Sequence, residues 1–465
     1  MATIGAGEVA EPGRAHLPDA TYFIAASRLR PGLDGGFAIA TLQRALHFER
    51  VAGVVPTLLT FDPAQIDGVV ETFRELGLAS DATRMRNLFA ELRERPELVR
   101  EAALHPMGVP DAPTVWTDVV ARDGSVVVRL PYVPHAEWFR TVDPIPVLAA
   151  DGSVLGALRG FGELYRLWVD AVVAEAGERE VVVIVEAKQV GELLARGPRA
   201  YALVHTLHNA HTLSPHQWDS EVDALWAGWF DVVDEFDGVM WLTQAQRADA
   251  VQRFGEHEGW AVVPHPAQPA RSSTRERDPY RAVMIARLVE QKRVDDAVRA
   301  WPAVLAREPR ARLDVYGDGP LRAELEELIA ELSLEHAVTL RGHDHRAADE
   351  LSSAALLVVS SRHEGWPLAI TEARERGCPV VSYDVPYGPA QMIESGVDGE
   401  LVAPGDVAGL ASAIGLLLGH PERIAAYSEA ALAWANANGV VRAMEATGEV
   451  IAAAIARSRR RRLLS

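Results

Sequence analysis

Two glutamates with seven residues between them, Glu364 and Glu372, stand in S-S-R-H-E-G-W-P-L-A-I-T-E-A-R-E-R-G, residues 360–377. An ionised carboxylate is acceptor-only, which suits hydroxyls such as those of a sugar and a ribose. Arg287 and Lys292 fall in R-L-V-E-Q-K-R. Two cations at the start of a helix oppose its dipole, so this reading expects an anion there. A diphosphate would supply it, and arginine suits bidentate phosphate contact. His208, His211 and His216 crowd L-H-N-A-H-T-L-S-P-H. Zinc would need companions that are missing, an H-E-x-x-H or a cysteine set, and hydrogen-bonded loop histidines are the plainer expectation. A lone Glu pair is equally what an ordinary solvated helix carries, so position has to decide.

The elements around these residues supply that position. Ala354 to Val359 is an apolar run that reads as a buried parallel strand. Pro367 can open the helix that follows and Gly377 can close it. Glu364 then lies in the strand–helix loop and Glu372 about one and a half turns into the helix. Ligands of open α/β sheets bind at the carboxyl ends of the strands, where both glutamates and the histidine loop fall. Tyr22 to Ala26, Phe37 to Val51 and Val54 to Phe61 make a βαβ start. Gly35 and Gly36 lie at the helix N-terminus, where backbone N–H groups favour anions; a plain tight turn is the competing reading. Asp62 to about His105 reads as helical and charged.

The texture then changes. T-V-W-T-D-V-V-A-R-D-G-S-V-V-V-R-L and P-V-L-A-A-D-G-S-V-L-G-A-L read as hairpins turning at Asp123-Gly124 and Asp151-Gly152, an antiparallel insertion of about residues 108–160. Val181 to Val185, Tyr201 to Thr206 and Gly238 to Leu242 return to strands. Proline, serine and charge near residues 264–280 mark a linker. Beyond it, Arg281 to Ala286, Arg312 to Tyr316, Val338 to Arg341 and Val380 to Tyr383 repeat the α/β pattern, and Gly342-His343 ends one of these strands. The expected division is 1–265, 266–430, and 431–465 for a last helix and basic tail.

The 465 residues suggest two or three domains. A net charge of −19 excludes a general nucleic-acid binder. Cys378 is the one cysteine, which excludes an internal disulfide, fits a reducing compartment and suits packing. No apolar leader precedes residue 20 and no run is long enough to span a bilayer, so the expected location is the cytoplasm. Five arginines between Arg457 and Arg462 read as a solvated helix end, or as a weak peripheral contact with the inner membrane face.

Taken together, Arg287, Lys292, Gly342-His343 and the Glu364/Glu372 pair resemble the donor half of family-4-type retaining GT-B glycosyltransferases. G-G-F-A-I-A-T-L-Q-R-A-L, the hairpins, V-H-T-L-H-N-A-H and F-D-G-V-M-W-L-T-Q-A-Q are similar to the poly(glycerol-phosphate) α-glucosyltransferase group, with its wall-teichoic-acid and serine-rich-adhesin transferases. The resemblance implies two facing Rossmann-like domains with the insertion in the first. It implies transfer of glucose or N-acetylglucosamine from a UDP-sugar to a hydroxyl of a polymer, protein or glycan, without metal or other cofactor. Arg287, Lys292, Gly35 and Gly36 would hold the diphosphate, Gly342 and His343 the base, Glu372 the ribose, and Glu364 the sugar. Either His208 or His211 would face the donor from the opposite side. The competing readings are a non-catalytic GT-B subunit that binds an acceptor protein, and a phosphorylase or epimerase using the same cleft. The insertion is expected to serve acceptor recognition or a homo-oligomer.

Overall fold

A computed structural model describes residues 14–31, 35–64, 68–108, 115–132, 142–270 and 276–464. The strands, in chain order, are β1 (Thr21–Ala26), β2 (Thr57–Thr60), β3 (Arg84–Asn87), β4 (Val115–Val120), β5 (Val126–Tyr132), β6 (Pro144–Leu148), β7 (Val154–Arg159), β8 (Val181–Val185) and β9 (Ala202–Leu207). They continue with β10 (Gly238–Trp241), β11 (Trp260–Val262), β12 (Asp278–Ile285), β13 (Arg312–Tyr316), β14 (Val338–Gly342), β15 (Ala354–Val359), β16 (Val380–Tyr383) and β17 (Gly399–Val402).

Two parallel sheets result. The first runs β11-β10-β9-β8-β1-β2-β3 and the second β14-β13-β12-β15-β16-β17. Each therefore reverses its winding once, between β1 and β8 in the first and between β12 and β15 in the second. Crevices open at such switch points. The all-apolar β8 fits its place: Val181, Val183 and Val185 enter the core on one face, Val182 and Ile184 the core on the other. A strand buried on both faces has no polar alternation to show.

The expected insertion is a separate four-stranded antiparallel sheet, β4-β5-β6-β7. Both of its end hairpins turn on the same pentapeptide pattern, A-R-D-G-S and A-A-D-G-S. In each, an aspartate Oδ1 accepts from the serine N–H two residues on, at 2.9 Å. Gly124 and Gly152 hold φ near 84° and 85°, a conformation that favours glycine. Val127, Ile145 and Leu158 join the core that holds Trp168 and Phe161 of the helix Gly160–Ala174.

Three sequence readings change here. Residues 84–87 form a strand at the edge of the first sheet, where the stretch from Asp62 read as helical. The stretch Val263–Gln268, read as linker, is packed: His265 is buried, and Ala267 donates its N–H to Asn438 O at 2.9 Å. The arginine-rich end is not frayed. The helix Val440–Leu464 returns to the first sheet and buries Met444, Ile451, Ala454 and Ile455 against its core. Arg459 and Arg462 pair with Glu180, Arg460 with Glu258, and Arg461 with Asp237. Among the described residues, no helix is long and apolar enough to cross a membrane.

Candidate functional site

The two switch points face each other across a cleft with a cavity of about 540 Å³. Gly36, His208 and His265 line it from the first domain; Arg287, Lys292, His343, Glu364 and Glu372 line it from the second. The sequence-expected residues are thus brought together, with three qualifications. His211 is fully buried away from the cavity, among Phe230, Trp241 and Tyr387. Gly342 supports the lining rather than forming it: its carbonyl accepts from Gly317 N at 2.8 Å. Gly35 begins the helix Gly35–Ala52, with Gly36 behind it in the first turn.

The helix Leu368–Glu375 carries Glu372, and Pro367 immediately precedes it. It ends in a Schellman closure: Gly377 has φ 60°, Gly377 N donates to Arg374 O, and Cys378 N donates to Ala373 O. Glu364 is 7 % exposed, and its loop is pinned by Glu364 N to Pro386 O at 2.9 Å and Tyr387 N to Glu364 O at 2.7 Å. Its Oε1 lies 2.6 Å from Lys292 Nζ. Arg287 is exposed to the cleft and its guanidinium has no protein partner among the described residues.

The two cations do not open a helix, as the sequence suggested. Arg287 is in the loop after β12 and Lys292 ends a 3₁₀ turn, Glu290–Lys292. The helix proper, Val294–Arg307, begins with Asp295 and Asp296, which suit its dipole. The cations are held instead by the neighbouring loop. A Cβ on Gly317 would stand 1.9 Å from Ala286 O, and one on Gly319 2.4 Å from Leu288 O. Only glycines let these backbones meet. Ser360 Oγ donates to Arg293 O at 2.7 Å, and Gln291 Nε2 to His363 O at 3.0 Å, tying the cation loop to the Glu364 loop.

The three loop histidines do separate things. His208 Nε2 lies 2.5 Å from Glu186 Oε2. Burial, with Arg253 and His216 acting in the same sense, lowers His211 to about 4. His216 packs its ring 4.3 Å from that of His363 across the cleft. Among the described residues no group of three or more His, Cys, Asp or Glu side chains is arranged to hold a metal ion. Sequence reasoning missed Glu186, Arg44 and His265. A charged residue ending an apolar strand and a histidine between two prolines were the only signals.

Burial pushes the Glu372 carboxyl up to about 7 from an ordinary 4.5, and Glu375 acts in the same sense. The folded state therefore holds this proton where the unfolded chain has lost it. That contribution to stability is complete below about pH 4.5 and is lost as pH rises through 7. Glu372→Gln imitates the protonated form. At pH 8 it should raise Tm by a few degrees, with an upper limit of about 3 kcal/mol, and the gain should vanish near pH 4.5. Paired melting curves at the two pH values check this; an equal Tm difference at both would refute it.

Residues 268–434 match the family of group 1 glycosyl transferases. Over 150 residues the chain is 41% identical to an exopolysaccharide phosphotransferase of Streptomyces coelicolor, covering 32% of this chain and 16% of that protein. Over 282 residues it is 26% identical to a poly(glycerol-phosphate) alpha-glucosyltransferase of Bacillus subtilis, 59% of this chain and 41% of the relative. The chain thus spans less than half the length of either relative. Among solved structures, S. aureus TarM, crystallised with fondaparinux, α-GlcNAc-glycerol and UDP, superposes with a TM-score of 0.74 at 15% identity, covering 93% of this chain and 99% of TarM. The pneumococcal O-GlcNAc transferase GtfA, with UDP and GlcNAc, gives 0.68 at 16%, covering 94% and 99%. At these identities the likeness establishes the fold, two Rossmann-like domains in the GT-B arrangement.

Proposed function

We propose, from the premise of a group 1 glycosyl transferase domain at residues 268–434 on a GT-B fold, that the protein moves a hexose from a UDP-sugar to a hydroxyl with retention of configuration. The observation that carries this is one cavity, at both switch points, lined by an unpartnered guanidinium, a second cation and two carboxylates at different depths. Arg287 and Lys292 neutralise the departing diphosphate, the place where charge develops as the bond to the sugar breaks. The first turn of the helix Gly35–Ala52 adds backbone N–H groups at Gly36. His343 lies where the base would rest, Glu372 takes the ribose hydroxyls, and Glu364 a hydroxyl of the sugar.

The carboxylates in the cavity wall, Asp318, Asp344, Glu364 and Glu372, all come from the second domain among the described residues. None faces the donor from the first domain as a nucleophile would, which supports attack on the face the diphosphate leaves. The cations do the work a metal would do elsewhere, so the reaction proposed here needs none. The relatives' names favour a glucose or N-acetylglucosamine donor and a cell-wall polymer, protein or glycan acceptor. The insertion leaves Val115, Val154 and Leu155 exposed, which supports a role for it in holding that acceptor or a second copy.

The test is UDP binding by calorimetry with a chelator present. Wild-type protein should bind, and Lys292→Ala should weaken binding at least about tenfold, roughly 1.4 kcal/mol. Equal affinity in the two proteins, or binding that requires added divalent ion, would overturn the donor assignment.

A further inference from the structure

Behind the first domain's wall of the cleft runs a chain of polar side chains that the donor scheme above does not use. Glu186 follows β8 and is 2 % exposed. Arg44 Nε lies 2.6 Å from its Oε1, and His208 Nε2 lies 2.5 Å from its Oε2. On the other edge of the same ring, His208 Nδ1 is 3.3 Å from His265 Nε2, and the two rings stack with centroids 5.2 Å apart. The Phe37 ring meets His208 edge-on at 5.4 Å, so the ring is held on all sides but the cleft.

The protons in this chain can be placed. Burial would raise the Glu186 carboxyl, but Arg44 and then His208 outweigh it and hold it at about 2. Glu186 is therefore an acceptor only, and the His208 proton it faces is on Nε2. Arg44 and Glu186 already balance, and a third charge in so buried a chain is costly, so the His208 ring is neutral and its Nδ1 bare. The contact with His265 then requires His265 Nε2–H to donate. Burial, with His208 and Arg44 acting in the same sense, keeps His265 well below the ordinary imidazole range, so that ring is neutral too. Both ring N–H groups are committed inward. Whatever either ring offers the cleft is a lone pair.

We propose that the chain Arg44–Glu186–His208–His265 determines donor specificity by presenting only acceptors to the sugar. It admits a neutral, hydroxyl-bearing hexose and rejects a uronate, whose carboxylate has no proton to give. The inference rests on the donor reading above. His208 touches the sugar; Glu186, Arg44 and His265 act through it as positioning residues.

Two measurements test it on the full-length protein. Ring ¹⁵N–¹H correlation spectra of histidine-labelled protein, assigned with His208→Gln, should show the Nε2–H tautomer for His208. Glu186→Gln, whose amide can donate to Nε2, should turn a substantial fraction of it to Nδ1–H. In parallel, wild type should hydrolyse UDP-glucose in preference to UDP-glucuronate by roughly 100-fold. Glu186→Gln should shrink that ratio at least about tenfold, and Glu186→Asp should restore part of it. If Glu186→Gln does not fold, His265→Gln, which leaves the buried ion pair intact, should shrink the ratio in its place. A charged or Nδ1–H ring in the wild type, or an unchanged sugar ratio in the variants, overturns the proposal. Binding of neither UDP-sugar, with the tautomer as expected, instead overturns the donor reading on which it rests.

Discussion

Glu364→Gln should lower kcat for UDP-sugar turnover by roughly 100-fold or more, about 2.7 kcal/mol of lost transition-state stabilisation, without weakening UDP binding. The split follows from what the side chain touches. Glutamine keeps the size and one acceptor oxygen, and the loop stays pinned through the backbone bonds to Pro386 and Tyr387. What goes is the negative charge beside the sugar and the ion pair 2.6 Å from Lys292 Nζ. A Lys292 released from that pair has more, not less, attraction for a diphosphate. A residue whose contact strengthens as positive charge develops on the sugar shows its loss in kcat, and one that binds uniformly shows it in KM. Steady-state kinetics with calorimetric UDP affinity on the same preparation separate the two. A kcat within threefold of wild type would show that Glu364 is no more than the neutralising partner of Lys292. Of the two candidate histidines, His208→Ala should share the kcat effect. His211→Ala should mainly cost stability, because that ring fills space among Phe230, Trp241 and Tyr387.

How far these assignments were legible depends on whether the signal was local. Glu364, Glu372 and Lys292 could be found because a strand, a loop and a helix in fixed order put them at one sheet edge. β8 could be found because five aliphatic residues in a row have no other use at that length. The A-x-D-G-S turns carry their own hydrogen bonds. β3 could not be found this way: R-M-R-N lies at the sheet edge, where Arg84 is exposed and the apolar pattern of a strand is not required. The placement of Lys292 at a helix start failed because E-Q-K forms a 3₁₀ turn, and the helix waits for Asp295 and Asp296 two residues later. The terminal arginines find Glu180, Glu258 and Asp237 more than two hundred positions away, and nothing in a basic run announces such partners. The same holds for His208 against His211. Both have the right chemistry, and only the course of the chain after β9 decides that the first lines the cavity while the second is sealed behind it.

Gly365→Ala should abolish most of the turnover while both domains remain folded. A Cβ at this position would stand 1.9 Å from His208 O, 2.6 Å from its carbonyl carbon and 3.1 Å from Asn209 N. All three are backbone atoms of the opposite domain, so no side chain can swing aside. The contact can be relieved only by separating the loops by something on the order of 1–2 Å, and a displacement of about 1 Å at a reacting centre can cost roughly 100-fold. The same opening would strain the seam beside the cleft. There Tyr387 Oη donates to Asp249 Oδ2 at 2.8 Å and Gln244 N to Gln391 Oε1 at 2.8 Å. The proposed diphosphate and ribose contacts, Arg287, Lys292 and Glu372, lie on the second domain and travel together. UDP affinity should therefore stay within a few-fold of wild type while kcat falls about 100-fold, and small-angle scattering should register a larger radius of gyration. Loss of UDP binding in step with kcat would point to a distorted Glu364 loop in place of an opened cleft. Wild-type turnover in the variant would show that catalysis does not use the closed arrangement, and that Glu364 and His208 need not meet across one sugar.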